Sequence, residues 1–378
     1  MATDALVKGI PQRKLSDRER FYMASQWQLM WRKFRRHRLA ILGGSVLLVL
    51  YLAAIFCGFM APYEVGRRNS DYLFAPPQRI SFLDENGRFS LRPVVYGYSR
   101  ERNMETLELE FTIDRSQRFP IRFLHHGDTY KFWGVWETDL HLFGVDEPGY
   151  FFLLGTDKLG RDIFSRTLYG ARVSLTIGLV GVALSFILGC LFGGISGFYG
   201  GLPDTIIQRM VEYLLSIPTI PLWMALAAAI PRDWPQLRIY FAITIILSLV
   251  GWSGLARVVR GKVISLREED YVLAAKIAGE TDMRIIVWHL LPAFMSYLIV
   301  NLTLAIPGMI LGETALSFLG LGIRAPSVSW GVLLNEAQQV QVVILYPWLL
   351  YPGLFVIITV LAFNFLGDGL RDAADPYR

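Results

Sequence analysis

Six stretches of this sequence contain no aspartate, glutamate, lysine or arginine. They are Leu39 to Ala61, Val173 past Phe192, Tyr213 to Ile230, Ile239 to Ala256, about Phe294 to Leu311, and Leu345 to Leu366. A helix needs about 20 apolar residues to cross the hydrocarbon core of a bilayer. Each stretch therefore predicts one membrane-spanning helix. Prolines such as Pro218, Pro221, Pro307 and Pro352 fall in or near them, which membrane helices tolerate. Only 18% of the 378 residues are charged and the mean hydropathy is +0.39, against about 25% charged in a soluble domain. Disordered and collagen-like classes are excluded, a soluble enzyme is disfavoured, and room remains for one polar domain.

Charge sets the orientation. Residues 1–38 hold ten Lys and Arg against three Asp and Glu, a net of +7 in a chain of net +5. Because this basic segment abuts an apolar run, it reads as membrane orientation rather than nucleic-acid binding. The 257–284 loop is also rich in Arg and Lys, so both belong in the cytoplasm. Six spans then put both termini there. The N-terminal polar region is too long for a cleavable signal peptide. Cys57 and Cys190 lie in apolar runs, which argues against a disulfide framework or a cysteine-ligated metal.

About 100 residues separate the first two spans. Ile80 to Leu83 and Phe89 to Leu91 flank Asn86-Gly87, a hairpin signal. Leu107 to Ile113 alternates with period two, as a half-buried strand does. Arg118 to Leu124 and Thr129 to Trp133 bracket His125-His126-Gly127-Asp128, read as a second hairpin turn and not as a metal site. Residues 63–150 are thus expected to form a small β-rich extracytoplasmic domain. Residues 155–172 are expected to form an interfacial helix, with Ile163, Phe164, Thr167 and Leu168 on one face and Arg161, Asp162 and Arg166 off it.

The segment 257–292 is the most informative. It predicts a short helix, a glycine stop at Gly279, an N-cap at Thr281 and a second helix. Ala274 and Ala275 are small enough for another backbone to approach. A charged, Ala-rich helical loop between spans suits docking into a partner's groove; an ordinary solvated connector is the plain alternative.

Ala274-Ala275, Gly279 and Leu291-Pro292 resemble the EAA loop of ABC importer permeases. Leu273 stands where that loop has Glu, with Glu268, Glu269 and Asp270 just upstream. The Asp-Tyr-Val-x-Ala-Ala arrangement resembles the oligopeptide and dipeptide branch. Three more segments resemble its C-type permease subunit: Leu154 to Asp162, Leu316 to Gly322 with Ser329-Trp330-Gly331, and Asn364 to Asp372 with Asp375-Pro376. The resemblance implies an α-helical integral membrane protein of six transmembrane helices, a type-1 permease core of five among them, with the β-rich insertion between helices 1 and 2. It implies the boundaries 1–38, 39–62, 63–150, 155–172, 173–368 and a cytoplasmic tail 369–378. It implies a cell inner (plasma) membrane location and these partners: a second permease subunit, two ATP-binding subunits that hold ATP and Mg, an extracytoplasmic solute-binding protein and the lipid bilayer.

Roles follow from the same resemblance. Glu269, Asp270, Ala274, Ala275, Gly279, Leu291 and Pro292 would couple to the ATPases. Ser317, Gly320, Gly322 and Trp330 would form an outer gate. Gly155, Asp157, Gly160, Arg161 and Asp162 would form an interfacial motif. Gly193, Gly197 and Gly201 have small-xxx-small spacing, which reads as helix packing. Glu313 is expected at the outer water boundary. The chain carries no phosphate loop, since Gly261-Lys262 is followed by Val263, and no catalytic constellation. The expected function is a permease for peptides. An importer of oligosaccharides or other solutes is the alternative, and a stand-alone secondary transporter is third, because the spans lack central charges for ion coupling.

Overall fold

A computed structural model describes residues 26–83, 89–102, 104, 109–231 and 233–374. The basic segment before Gln26, the Asn86-Gly87 turn, Leu107-Glu108 and Asp375-Pro376 lie outside them. In chain order the first elements are α1 (Gln26–Phe34), α2 (Arg38–Ile55), α3 (Cys57–Met60) and five strands. The strands are β1 (Ser81–Leu83), β2 (Phe89–Arg102), β3 (Leu109–Pro120), β4 (Arg122–Phe132) and β5 (Trp136–Gly144). Then come α4 (Ile163–Tyr199), α5 (Gly201–Ser216), α6 (Thr219–Ala228), α7 (Gln236–Leu266), α8 (Asp270–Ile277), α9 (Met295–Phe318), α10 (Trp330–Glu336), α11 (Val340–Leu345) and α12 (Tyr351–Ala374).

Among the described residues, five helices are long and apolar enough to cross a membrane: α2, α4, α7, α9, and α12 with the 3-10 turn before it. The stretch expected as the third span, 213–230, is not one straight helix. α5 and α6 meet at 90° there, so the count is five, or six if the bent pair is one span. The cause is local. Ile217 precedes Pro218 and is extended, at φ −93° and ψ 131°, because proline crowds the residue before it out of the helical region. Pro307, by contrast, sits inside α9 without ending it.

The interfacial helix expected over 155–172 is also absent as a separate element. Residues 155–162 form loop and turn, and 163–172 are the first turns of α4. No proline interrupts 163–199, so the helix continues for 37 residues, about 55 Å at 1.5 Å per residue. Its far half packs backbone to backbone on α7. A Cβ on Gly193 would lie 2.5 Å from the Ala256 carbonyl oxygen, and one on Gly197 would lie 2.8 Å from that of Arg260. Gly193 and Gly197 thus serve close packing as expected; Gly201 faces open space. Leu175, Ile177, Ile243, Leu247, Ile306, Ile310 and Phe363 form the main core between spans.

The strands form an antiparallel three-stranded sheet, β1-β2-β3, and an antiparallel β4-β5 pair. The second hairpin turn falls at 133–135 rather than at His125 to Asp128, which lie inside β4. A register shift between His126 and Tyr130 absorbs that irregular run. Both ring nitrogens of His141 are used nearby: Nδ1 meets the Ala61 carbonyl at 2.5 Å and Nε2 that of Asp128 at 2.8 Å.

Candidate functional site

Sequence reasoning singled out three groups of residues, and the fold gives each a distinct environment. The first, Gly155 to Asp162, contributes Asp157 and Arg161 to a largely buried ionic cluster within the chain. Asp157 is 1% exposed. It accepts hydrogen bonds from the backbone of Leu159 at 2.8 Å and Arg161 at 3.0 Å, from Arg161 Nε at 2.7 Å, and from Arg166 Nη1. Arg161 and Arg166 also donate to Glu336 on α10, at 3.0 Å and 3.1 Å. Two guanidiniums thus face two carboxylates, the condition under which buried charge is tolerated. Gly155 and Gly160 turn the loop at φ +78° and +68°, pressed against the Ala75 and Asn69 backbones. Asp162 caps α4 by accepting from Ser165 N at 2.7 Å. Burial pushes its carboxyl up to about 6. Arg166, expected off the apolar face, points inward, and Glu336 was not foreseen. The available signal was an arginine set among Ile163, Phe164, Thr167 and Leu168, a placement costly without a partner.

The second group gathers around Glu313. That residue is fully buried within α9, not at a water boundary. Ser174 and Ser317 hydroxyls donate to its carboxylate at 2.9 Å and 2.7 Å. Trp330 N donates to Ser174 Oγ at 3.2 Å, and Trp330 Nε1 to the Thr167 carbonyl at 3.1 Å. Ile323 N donates to Ser317 Oγ at 3.0 Å. Gly320 ends α9 in the left-handed region at φ +73°, and a Cβ on Gly322 would lie 2.5 Å from Ser317 Oγ. Ser317, Gly320, Gly322 and Trp330 are therefore brought together, tying the 319–329 loop to α4.

The third group is the 265–292 segment. Val272 and Ala275 are buried against Val259, Val263, Ile285, Ile286 and Leu290 of the same chain. Ala274 is on the exposed side with Tyr271 and Leu273, and Ile277 is 88% exposed. The adjacent alanines thus have opposite surroundings. Gly279 stops α8 at φ +82°, with its N–H donating to Lys276 O at 3.0 Å. Glu269 and Asp270 are exposed at the N-terminal end of α8, where its dipole favours negative charge. Thr281 occupies the next N-cap position without a side-chain bond to the helix. A π-helical turn, Ile285–Leu290, follows and is clamped back to the glycine stop by His289 and Glu280 at 2.8 Å. It leaves Trp288 73% exposed. Leu291 is half-buried and Pro292 exposed.

Two cavities accompany these groups. One of about 1020 Å³ lies between the β4-β5 pair and the spans, with Glu64, Tyr169, Arg172 and Tyr240 in its walls. Another of about 280 Å³ lies among α4, α6, α7 and α9, with Trp223, Gly251, Gly254 and Gly308 in its walls. Among the described residues no group of three or more His, Cys, Asp or Glu could hold a metal; His126 pairs with Asp139 at 3.0 Å.

A bundle of apolar helices, with a helical segment between spans that leaves apolar side chains exposed, is a membrane permease type of fold. Residues 168–377 match the binding-protein-dependent transport system inner membrane component family, and the chain belongs to that family. Residues 25–77 match the N-terminal TM domain of oligopeptide transport permease C. The chain is 43% identical over 224 residues to the dipeptide transport system permease protein DppC of Bacillus subtilis, covering 59% of this chain and 68% of that protein. It is 41% identical over 230 residues to the oligopeptide transport system permease protein OppC of Haemophilus influenzae, covering 60% and 71%. A structure of the MetNI methionine ABC transporter aligns with a TM-score of 0.41 at 17% identity, covering 55% of this chain and 95% of that one. Residues 78–167, which include all five strands, fall between the two family matches.

Proposed function

We propose that this chain is one of two permease subunits of an ABC importer that takes up short peptides. It would form half of the pathway, beside a second permease, with two ATP-binding subunits on one face and a solute-binding protein on the other. ATP and Mg would be held by the ATPases. The similarity to DppC and OppC supports the peptide class over oligosaccharides. The apolar cavity among α4, α6, α7 and α9 gives the pathway a wall.

The observation that carries the coupling role is the uncovered side of the 265–292 segment. α8 is anchored to its own chain by Val272 and Ala275, yet it holds Leu273 and Ile277 in the open, as the π-helical turn after it holds Trp288. A helix so fixed on one side and apolar on the other suits insertion into a partner's groove. ATP-driven closure of the ATPases would pull on this helix and move the spans. The basic residues of the 257–284 loop and of the N-terminal segment support a cytoplasmic side for this segment and, with six spans, for both termini, with the strands on the opposite side.

The test is co-purification from detergent extract of the whole complex, wild type beside Ile277→Glu. Two ATPase subunits and a second permease with the wild type, and loss of the ATPases alone in the variant, are expected. A lone wild-type chain that transports without ATPases would overturn the reading in favour of a self-sufficient transporter.

A further inference from the structure

The β4-β5 pair is seated on the end of the first span. Trp133 Nε1 donates to the carbonyl of Ile55, the last residue of α2, at 3.1 Å. The Phe132 and Phe56 ring centroids are 5.9 Å apart. Tyr130 presses on Gly58, and His141 holds the Ala61 carbonyl. These contacts set the turn of the hairpin level with the C-terminal end of α2.

What the hairpin shows at that level is apolar. Trp133, Val135 and Trp136 are 52%, 71% and 64% exposed. They continue the exposed end of α2, made of Leu52 and Ile55, and Phe56 just after it. One residue pair further back, Lys131 and Glu137 form an ion pair at 3.3 Å, so the apolar tip is short and ends in charge.

The turn itself is strained for this sequence. Val135 N donates to Phe132 O at 3.1 Å, with Trp133 and Gly134 at φ +50° and +75° between them. Two-residue turns with both central φ values positive favour Asn-Gly. A bulky residue with positive φ is an outlier and points to function. In water this turn would carry both backbone strain and three exposed apolar side chains. Amphipathic aromatic rings are favoured at the headgroup boundary.

We propose that the β4-β5 turn is a membrane anchor, with Trp133, Val135 and Trp136 entering the lipid interface beside the end of α2. Its partner is the phospholipid bilayer, not a protein. The anchor fixes the height of the strands above the spans. The inference rests on α2 being a span and is independent of what is transported.

The test uses the full chain in nanodiscs of phosphatidylcholine and phosphatidylglycerol, in a Cys57→Ala, Cys190→Ala background. A nitroxide is placed at Val135→Cys, at Leu52→Cys as a lipid reference, and at Arg122→Cys, at the far end of the same hairpin, as a water reference. The ratio of oxygen to nickel-chelate accessibility at 135 is expected to be severalfold above that at 122 and to approach that at 52. A ratio at 135 equal to that at 122 would put the tip in water and overturn the anchor. Inaccessibility to both reagents would bury it in protein and overturn it equally. In a second measurement, brominated phosphatidylcholine should quench the tryptophan emission of the wild type more than that of Trp133→Asn, whose turn residue suits the backbone better. Equal quenching would count against the anchor without any dependence on labelling.

Discussion

The N-terminal end of α4 and the segment beyond the C-terminal end of α7 differ in what they leave unfinished. At the first, Asp157, Arg161, Arg166 and Glu336 bury four charges and match every one from within the chain. At the second, no costly polar burial is present, but Leu273, Ile277 and Trp288 stand uncovered. A chain that satisfies its buried charges internally has built a structural joint. A chain that anchors a short helix and then leaves apolar side chains uncovered presents the face that the proposed ATPase contact would cover. The contrast separates residues that satisfy one another within the chain from residues that the chain leaves uncovered.

The largest break in that comparison is Arg166→Ala. It would leave the buried Asp157 and the half-buried Glu336 sharing the single guanidinium of Arg161, at up to about 3–5 kcal/mol. The expected readout is a large drop in thermal unfolding temperature of the detergent-solubilised protein. An unchanged transition would mean that the cluster does not join α10 to α4.

Asp162 comes next and concerns pH. Below about pH 4 its carboxyl is protonated folded or unfolded. Its folded value of about 6 lies above the usual 3.8, so between these values only the unfolded chain releases the proton. Stability therefore falls as pH rises through that window, by on the order of 2–3 kcal/mol, and levels off above it. Asp162→Asn should flatten that slope in unfolding measured from pH 4 to 7, and a slope that survives the substitution belongs to another group.

Two glycines sharpen the same contrast. Gly160 and Gly279 both have positive φ, but a Cβ at Gly160 would collide with the Asn69 backbone while one at Gly279 meets nothing within 4 Å. Gly279→Ala should cost only the backbone conformation, about 1 kcal/mol. Gly160→Ala should cost clearly more in the same unfolding assay, and equal costs would contradict the packing described. The smallest expected change in stability is that of Ile277→Glu, within about 0.5 kcal/mol as for an open surface position. A strongly destabilised Ile277→Glu protein would show that side chain to be packed within the chain.

The spans were legible because apolar length is a property of each segment alone. Gly279 was legible for the same reason, since a helix stop is written in one residue. The bend at Pro218 was not, because Pro307 looks the same in sequence and is carried inside α9. Whether a proline breaks a membrane helix depends on what refills its backbone bonds. Arg166 and Glu336 are 170 positions apart, and no local period joins them. Glu313 was set at a water boundary because a charge in a span is costly, whereas three elements supply the hydroxyls and backbone around it. Ala274 and Ala275 were read as one surface because adjacency in sequence hides the 100° turn between neighbouring helical positions.

The length and the glycine seam of α4 have a mechanical consequence. Its first turns are locked into the charged joint, and its last turns lie against α7, from whose end the 265–292 segment hangs; Arg267 there reaches back to the Gly197 carbonyl at 3.2 Å. Backbones in direct contact at Gly193 and Gly197 leave little slack for one helix to slide past the other. The pair behaves as a stiff tiller. Over about 55 Å of helix, a tilt of about 5° sweeps the opposite end through about 5 Å, more than the reach of any hydrogen bond in the Asp157 joint.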